Sequence, residues 1–468
     1  MDPVETSALT LKQLPDDVLV MVMQYVSMKD VLECRLVCKR FCGLALHRDV
    51  WRHRSLEDEE PCAGAVLHLA PCLNTLTWLY GVRVPTLALT TTRCSVVGLI
   101  LHSDKLASHA PQYAMAVRNQ ESFGRLRRLE LHSKNPLPDE LLRTVASCSH
   151  LESLDVEVPS ISHPVVYGPP MPSLKKFRCP LNENTVSFVH TILVGHAATL
   201  EVVDLWWLTS GTNKTTTATL LAALPRLRAL FVGDSMMELE AVAACNTLRD
   251  VDIGIYDRNH LERTAEFFRR AHQLRRVSLY NNTGDDTPEV CSVLLDGLVS
   301  SGQSRVERLA FLMFENMRPL LGVLPSLPAL RHLELDLQTQ DPDDELLKGI
   351  TPVTAPALRL LKIAVSGCAH AWIHGDTAKA LIAKNPSLHI EFWLCEKQVW
   401  CKCADDTCRT LGYVPGCHQE VNWLEVCMIG LYSHDPNKCP SPEYHTAYTN
   451  LDRSYHDGKN VACTWIHV

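Results

Sequence analysis

Nineteen cysteines and 21 histidines give this 468-residue chain abundant metal-ligating and nucleophilic atoms. They gather at the C-terminal end. Residues 395–463 contain Cys395, Cys401, Cys403, Cys408, Cys417, Cys427, Cys439 and Cys463, with His418, His434, His445, His456 and His467 nearby. Thiolates and imidazoles at this density are the ligands zinc prefers. The spacing argues against zinc, because Cys401, Cys403 and Cys408 form C-x-C-x4-C rather than paired C-x2-C knuckles. The expectation is a segment with no metal and a chain with no cofactor. Catalytic constellations are missing from the sequence too: it has no phosphate-cradling glycine loop, no G-x-S-x-G elbow and no H-E-x-x-H. Cys–His pairs are numerous, but such counts produce them by chance, and none is marked as a nucleophile. The expectation is a non-catalytic protein.

Composition narrows the class further. The chain is 46% apolar and 21% charged, as ordinary folded proteins are. Its net charge of −8 provides no basic field, so nucleic-acid binding has no electrostatic basis. No run of 18 apolar residues exists, and no membrane span is expected. The first residues, Met1-Asp2-Pro3-Val4-Glu5, are acidic where a secretory signal would be basic and then apolar. A reducing cytoplasmic or nuclear compartment is expected, with most cysteines serving as small hydrophobes. The glycosylation-type triplets at Asn213 and Asn281 are then read as chance.

Residues 11–53 read as three short helices. Pro15 suits the start of a helix because its missing N–H is not needed there, and Asp16 and Asp17 suit the positive end of the helix dipole. Val18, Leu19, Val22, Met23 and Val26 recur at helical period. Ser27 or Asp30 can cap the next helix, and Val31, Leu32, Leu36, Val37 and Phe41 continue an apolar face. Helices of this length cannot bury so many large side chains among themselves, and an apolar remainder usually marks a partner site. The run Leu14-Pro15-Asp16-Asp17-Val18-Leu19, then Tyr25 through Leu32, then Arg35-Leu36-Val37-Cys38-Lys39-Arg40-Phe41, then Trp51, closely resembles an F-box over some 40 residues. Phe41 stands where Trp is frequent in that family, and Asp17 where Glu is. The resemblance implies docking on a Skp adaptor, which joins a cullin scaffold and its RING subunit. It assigns Leu14, Pro15, Leu19, Val22, Val26, Val31, Val37, Cys38 and Trp51 to the adaptor-binding or core set, without separating the two.

An acidic linker, residues 54–64, is expected next. Beyond it a unit of the form L-x-x-L-x-L recurs: Leu126–Leu129–Leu131, Leu151–Leu154–Val156, Leu200–Val203–Leu205, Leu227–Leu230–Val232, Leu248–Val251–Ile253, Leu274–Val277–Leu279, Leu330–Leu333–Leu335 and Leu358–Leu361–Ile363. Weaker copies begin at Leu73, Val96, Leu174, Val306 and Leu388. The period from Leu73 to Leu388 is about 26 residues, inside the leucine-rich-repeat range. In each unit the last two apolar positions are two apart and share one side of a short strand. Helical stretches lie between units, among them 139–150, 183–197, 259–273, 288–301 and 376–383. The fold class expected is α/β: a small all-α F-box, then a curved solenoid over residues 65–394 of about 12–13 irregular repeats, with parallel strands on the concave face and helices on the convex face. Asn282 is the one clear asparagine at the ninth repeat position. Residues 157–173 read as a proline-rich insertion.

Residues flanking the strand leucines face the concave side. Among them Trp206, Phe231, Asp252 and Tyr280 are candidates for binding a protein substrate, since aromatic side chains anchor interfaces. Residues 395–468 are expected to cap the last strand, with Trp393, Trp400, Trp423 and Trp465 as apolar filling. The F-box resemblance implies a substrate-recognition adaptor of a Skp–cullin–F-box ubiquitin ligase, acting in ubiquitin-dependent degradation. The alternative is a repeat scaffold or receptor for a protein or small molecule with no ligase role.

Overall fold

A computed structural model describes residues 13–79, 86–102, 109–161, 172–205, 216–284, 288–314, 316–336, 343–365, 375–394, 428–439, 441–445, 448–450 and 460–467. The chain divides into two compact units, residues 1–211 and 212–468.

The first unit opens with four helices where the sequence predicts three. They are α1 (Asp16–Gln24), α2 (Met28–Cys34), α3 (Lys39–Ala45) and the single turn α4 (Arg48–Trp51). Pro15 precedes α1 as its N-cap, and Asp16 and Asp17 occupy its first turn. Ser27 caps α2, its hydroxyl accepting from the Asp30 N–H at 3.2 Å. The apolar face expected to run from Val31 to Phe41 is interrupted. Helix α2 stops at Cys34, residues 35–37 form a turn, and the Cys38 thiol caps α3 by accepting from the Phe41 N–H at 3.5 Å. Arg40 closes this end, donating to the Asp16 carboxylate at 2.8 Å and to the Leu14 carbonyl at 2.6 Å. The core of the domain is Leu19, Val20, Met23, Val31, Leu44, Ala45, Val50 and Trp51. Trp51 sits fully buried with its indole N–H donating to the Ala45 carbonyl at 2.7 Å.

Strands follow in strict chain order: β1 (Ser55–Glu57), β2 (Cys72–Trp78), β3 (Ser95–His102), β4 (Arg128–His132), β5 (Ser153–Glu157), β6 (Lys176–Arg178) and β7 (Val202–Asp204). Each pairs in parallel with the next. Their register places Leu56, Leu76, Leu99, Leu129, Leu154, Phe177 and Val203 in one row, all buried. Strand β1 lies inside the segment expected to be a linker. Its Leu56 begins the buried row, and the buried Asp58 accepts from the Leu79 N–H at 2.9 Å. That acidic run is pinned by backbone pairing.

Arg54 joins the helices to this ladder. Its guanidinium donates to the carbonyls of Met23 at 2.6 Å, Val26 at 2.7 Å and Val50 at 2.7 Å, and it lies 5.5 Å from the Trp51 ring centroid. These bonds cap the end of α1 with a cation, as the helix dipole favours. The Arg54 carbonyl accepts from the Asn74 N–H at 2.8 Å. The same device recurs through the repeats: the carbonyl just before a strand accepts from two successive N–H groups of the next repeat, as at Arg127, Glu152 and Lys175.

The second unit contains β8 (Ala229–Gly233), β9 (Asp250–Ile255), β10 (Arg276–Asn281), β11 (Arg308–Leu312), β12 (His332–Asp336), β13 (Leu360–Val365) and β14 (His389–Leu394), again parallel and in order. Its buried row is Leu230, Val251, Val277, Leu309, Leu333, Leu361 and Ile390. Strand β15 (Met428–Tyr432) then pairs antiparallel to β14, so the repeat run ends in a reversed strand. Strand β16 (Tyr448–Asn450) pairs with β17 (Asn460–His467), which in turn pairs with β15. Asn282 is exposed. The buried asparagine is its neighbour Asn281, which continues the inward side of Val277 and Leu279 and accepts from the Thr283 N–H at 3.2 Å and its hydroxyl at 2.9 Å.

Helices Asp139–Ala146, Val186–Gly195, Leu261–Arg270, Pro288–Val299 and Asp376–Lys384 occupy the helical stretches predicted between units, some of them about a turn shorter. Helices Leu261–Arg270 and Pro288–Val299 pack closely, and Gly297 makes this possible: a Cβ there would lie 2.7 Å from the Ala265 carbonyl oxygen. Gly297→Ala is expected to lower the stability of the full chain by roughly 1–3 kcal/mol through forced separation of these helices. Arg54→Met, which removes the donor that the carbonyls of Met23, Gln24, Val26 and Val50 share, is expected to cost roughly 2–4 kcal/mol. Urea denaturation of the purified chain measures both.

Candidate functional site

The nine F-box positions named from sequence fall into two groups. Leu19, Val31 and Trp51 are buried and form core. Pro15, Val22, Val37 and Cys38 are exposed, while Leu14 and Val26 are half-buried. The exposed group has apolar neighbours that sequence reasoning did not assign to the site: Met21 on α1, Tyr25 at its C-cap, and Leu36 in the turn after α2. Met21, Val22, Tyr25, Leu36 and Val37 are between 49% and 87% exposed. Among the described residues they are five of the ten large exposed hydrophobics, all within residues 21–37. Single exposed apolar residues need no explanation, but a cluster of this kind on one small domain marks an interaction surface. Helical period alone hides Leu36, because it places that side chain on a continuous helix face. The break at residues 35–37 is what turns Leu36 and Val37 outward.

The polar side of the strands carries a second set of groups. In the first unit, register places Glu130 on β4, Asp155 on β5, Arg178 on β6 and Asp204 on β7 side by side. Arg178 lies 3.3 Å from Asp155 and 3.5 Å from Asp204. One position along, His132 Nδ1 is 3.0 Å from Glu157, His132 Nε2 is 3.5 Å from Glu130, and the ring stacks on His102 at a centroid distance of 4.1 Å. Burial works against an imidazolium here, but the hydrogen bonds to Glu130 and Glu157 outweigh it and hold the His132 pKa at about 9. Burial raises Asp155 to about 6 in spite of Arg178 and His132 beside it.

In the second unit the corresponding row is Phe231, Asp252, Ser278, Ala310, Glu334, Lys362 and Glu391. Three of the four predicted substrate-binding residues are on this side. Phe231 and Asp252 are register partners on β8 and β9. Tyr280 sits on β10 opposite Gly254, and all three side chains are half-buried. Trp206 lies outside the described residues, as do Cys395, Cys401, Cys403, Cys408, Cys417, Cys427, His418, Trp400 and Trp423. The half-buried Tyr256 was not anticipated. Its ring covers Gly254, where a Cβ would meet it at 2.7 Å, and burial pushes its phenol up to about 12. The local signal for it is the glycine two residues earlier, which removes a side chain from the polar side and leaves room for a ring. At the far end of the row Lys362 is 3.2 Å from the buried Glu391. Burial raises the Glu391 pKa above its usual value against the pull of Lys362.

The His132 network predicts a pH response. A histidine whose folded pKa exceeds its unfolded value stabilises fully below about 6.5 and loses that contribution as pH rises through about 9. The first unit is therefore expected to lose on the order of 2 kcal/mol between about pH 6.5 and 9. His132→Asn is expected to flatten that dependence in urea melts monitored across the range. An unchanged slope in the variant would contradict this role for His132.

Residues 11–57 match the F-box-like family. No curated protein matches the chain. Among solved structures, the yeast Rad7–Elc1 complex is 16% identical, with 74% of this chain and 88% of that one covered and a TM-score of 0.41. The TLR13–ssRNA13 complex is 15% identical, with 73% of this chain and 37% of that one covered and a TM-score of 0.31. No helix among the described residues is long and apolar enough to cross a membrane. The chain thus carries an F-box-like domain at residues 11–57, followed by strand-and-helix repeats.

Proposed function

We propose that this chain is the substrate-recognition subunit of a Skp–cullin–F-box ubiquitin ligase. The observation that carries the reading is the apolar cluster Met21, Val22, Tyr25, Leu36 and Val37, exposed on a domain whose sequence is F-box-like. A Skp-type adaptor covers that cluster and connects the chain to the cullin scaffold and its RING subunit. The polar side of the strands captures a protein substrate, with Phe231, Asp252 and Tyr280 contributing. The chain itself performs no chemistry. Ubiquitin transfer to the substrate is accelerated by proximity, because both are held on one assembly and a bimolecular step becomes effectively intramolecular. Residence in the cytoplasm or nucleus accords with such a role.

The double substitution Leu36→Asp with Val37→Asp tests the docking half. Both side chains are solvent-exposed, so folding is expected to stay within about 0.5 kcal/mol of the parent. Recovery of the Skp adaptor and cullin on affinity purification is expected to fall more than ~10-fold, as truncating interface anchors does. Undiminished recovery would leave a repeat scaffold without ligase function as the reading. Phe231→Ala with Tyr280→Ala is expected to lose proteins that accumulate on the docking-deficient chain, while still recovering the adaptor.

A further inference from the structure

The second unit gathers three metal-ligating side chains around the start of β14. His389, the first residue of β14, is fully buried, and its Nε2 is 3.5 Å from the Cys439 thiol. His434 stands beside them, its ring centroid 4.7 Å from that of His389 at an interplanar angle of 72°. One ligand atom from each of the three residues lies within 4.8 Å of the other two. We propose that His389, His434 and Cys439 bind a zinc ion through two imidazole nitrogens and one thiolate sulfur, both histidines coordinating through Nε2.

Geometry and tautomer favour this directly. A tetrahedral zinc with Zn–N near 2.0 Å and Zn–S near 2.3 Å separates its nitrogen and sulfur ligands by about 3.5 Å. The separation of His389 and Cys439 is 3.5 Å. His389 Nδ1 faces the Arg359 carbonyl at 3.2 Å, and His434 Nδ1 faces the Pro386 carbonyl at 3.0 Å. A carbonyl only accepts, so each Nδ1 carries the proton and each Nε2 bears the lone pair. This backbone orientation of the distal nitrogen is what metal-ligating histidines show. The Cys439 sulfur accepts from the Ser441 N–H at 3.3 Å, a bond that stabilises a thiolate. Binding would displace the thiol proton to solvent and need no change in either imidazole.

The His389 orientation has a cause in the repeat. In the preceding repeats of this unit the carbonyl before a strand accepts two successive N–H groups: the Glu307 carbonyl takes Arg331 and His332, and the Arg331 carbonyl takes Arg359 and Leu360. In the last repeat the Leu388 N–H turns to Asn385 instead, and the Arg359 carbonyl takes the His389 N–H and its Nδ1. The side chain fills the place of the missing amide. Tyr432, Tyr444 and Trp465 ring the imidazole, with centroids 5.2–6.4 Å away. They form an aromatic wall that limits water, and the ion would tie the turn after β15 to the start of β14.

A second trio, Glu130, His132 and Asp155, brings its ligand atoms equally close. It is excluded by charge. Both nitrogens of His132 face carboxylates, and Arg178 already lies 3.3 Å from Asp155. A cation is in place there without a metal.

The test uses the full chain expressed with zinc, together with Cys439→Ser and His434→Asn. Elemental analysis is expected to find about one zinc per chain fewer in either variant than in the parent. Cobalt(II) added to the metal-stripped parent is expected to give thiolate-to-cobalt charge-transfer absorption that diminishes in Cys439→Ser. His434→Asn is expected to weaken cobalt binding by more than ~10-fold. Equal zinc content and equal cobalt spectra in parent and variants would overturn the proposal and leave a thiol–imidazole hydrogen bond. Should the variants fail to fold, alkylation of Cys439 in the parent decides, read by peptide mapping. A chelator is expected to accelerate it, and an unchanged rate overturns the site.

Discussion

Parallel pairing in constant register is the constraint on which both units rest. Each strand contributes one residue to a buried row, and the row is continuous only because every repeat repeats the same step. Leu129, Leu154, Phe177 and Val203 are neighbours although tens of residues separate them in sequence. A shift of one residue in any strand would carry its leucines to the polar side and its charges inward. In most repeats the carbonyl before the strand guards against this by holding two successive amides of the next repeat. Side chains on the polar side inherit that precision, which is why Arg178 stands between Asp155 and Asp204 and Phe231 stands beside Asp252.

The helical domain is built into the first ladder. Trp51 fills its core, Arg54 caps α1 from beneath, and the Arg54 carbonyl holds β2. On the proposed docking role this arrangement has a consequence, because a partner bound to Leu36 and Val37 would address a domain fixed to the strands of its own unit. The apolar side chains divide by position. Those facing α4 and Trp51 are buried, whereas those on the outer side of α1 and in the break after α2 have nothing within the domain to cover them.

Much of this was legible in sequence because it depends on local periodicity. The eight clear L-x-x-L-x-L units place their middle residues on strands in buried rows, and the helices between them fall where the pattern puts them. What was not legible depends on contacts between distant residues. Residues 54–64 look like a solvated linker by composition, but Leu56 and Asp58 are buried by pairing with β2. Buried and exposed apolar residues of the F-box-like domain are of the same chemical types, and only the packing of α1 and the turn at residues 35–37 separate them. Asn281 supplants Asn282 because strand parity, rather than motif position, decides which side chain turns inward.

The C-terminal cluster shows the same limit more sharply. Spacing rules look for zinc ligands that are neighbours in sequence, and within residues 395–463 they find only an ill-fitting C-x-C-x4-C. The trio in the structure takes one ligand from a strand that belongs to the repeats and two from a turn beyond β15. Its donor to the Arg359 carbonyl is a side chain only because the last repeat loses an amide from the ladder. The end of a repeat array is where such groups come free. Most interior repeats satisfy the strand-leading carbonyl with two amides of the next repeat, as at Arg249, Arg275, Glu307 and Arg331, whereas the Arg359 carbonyl takes one amide and a side chain, and a histidine recruited through Nδ1 presents its other nitrogen as a ligand.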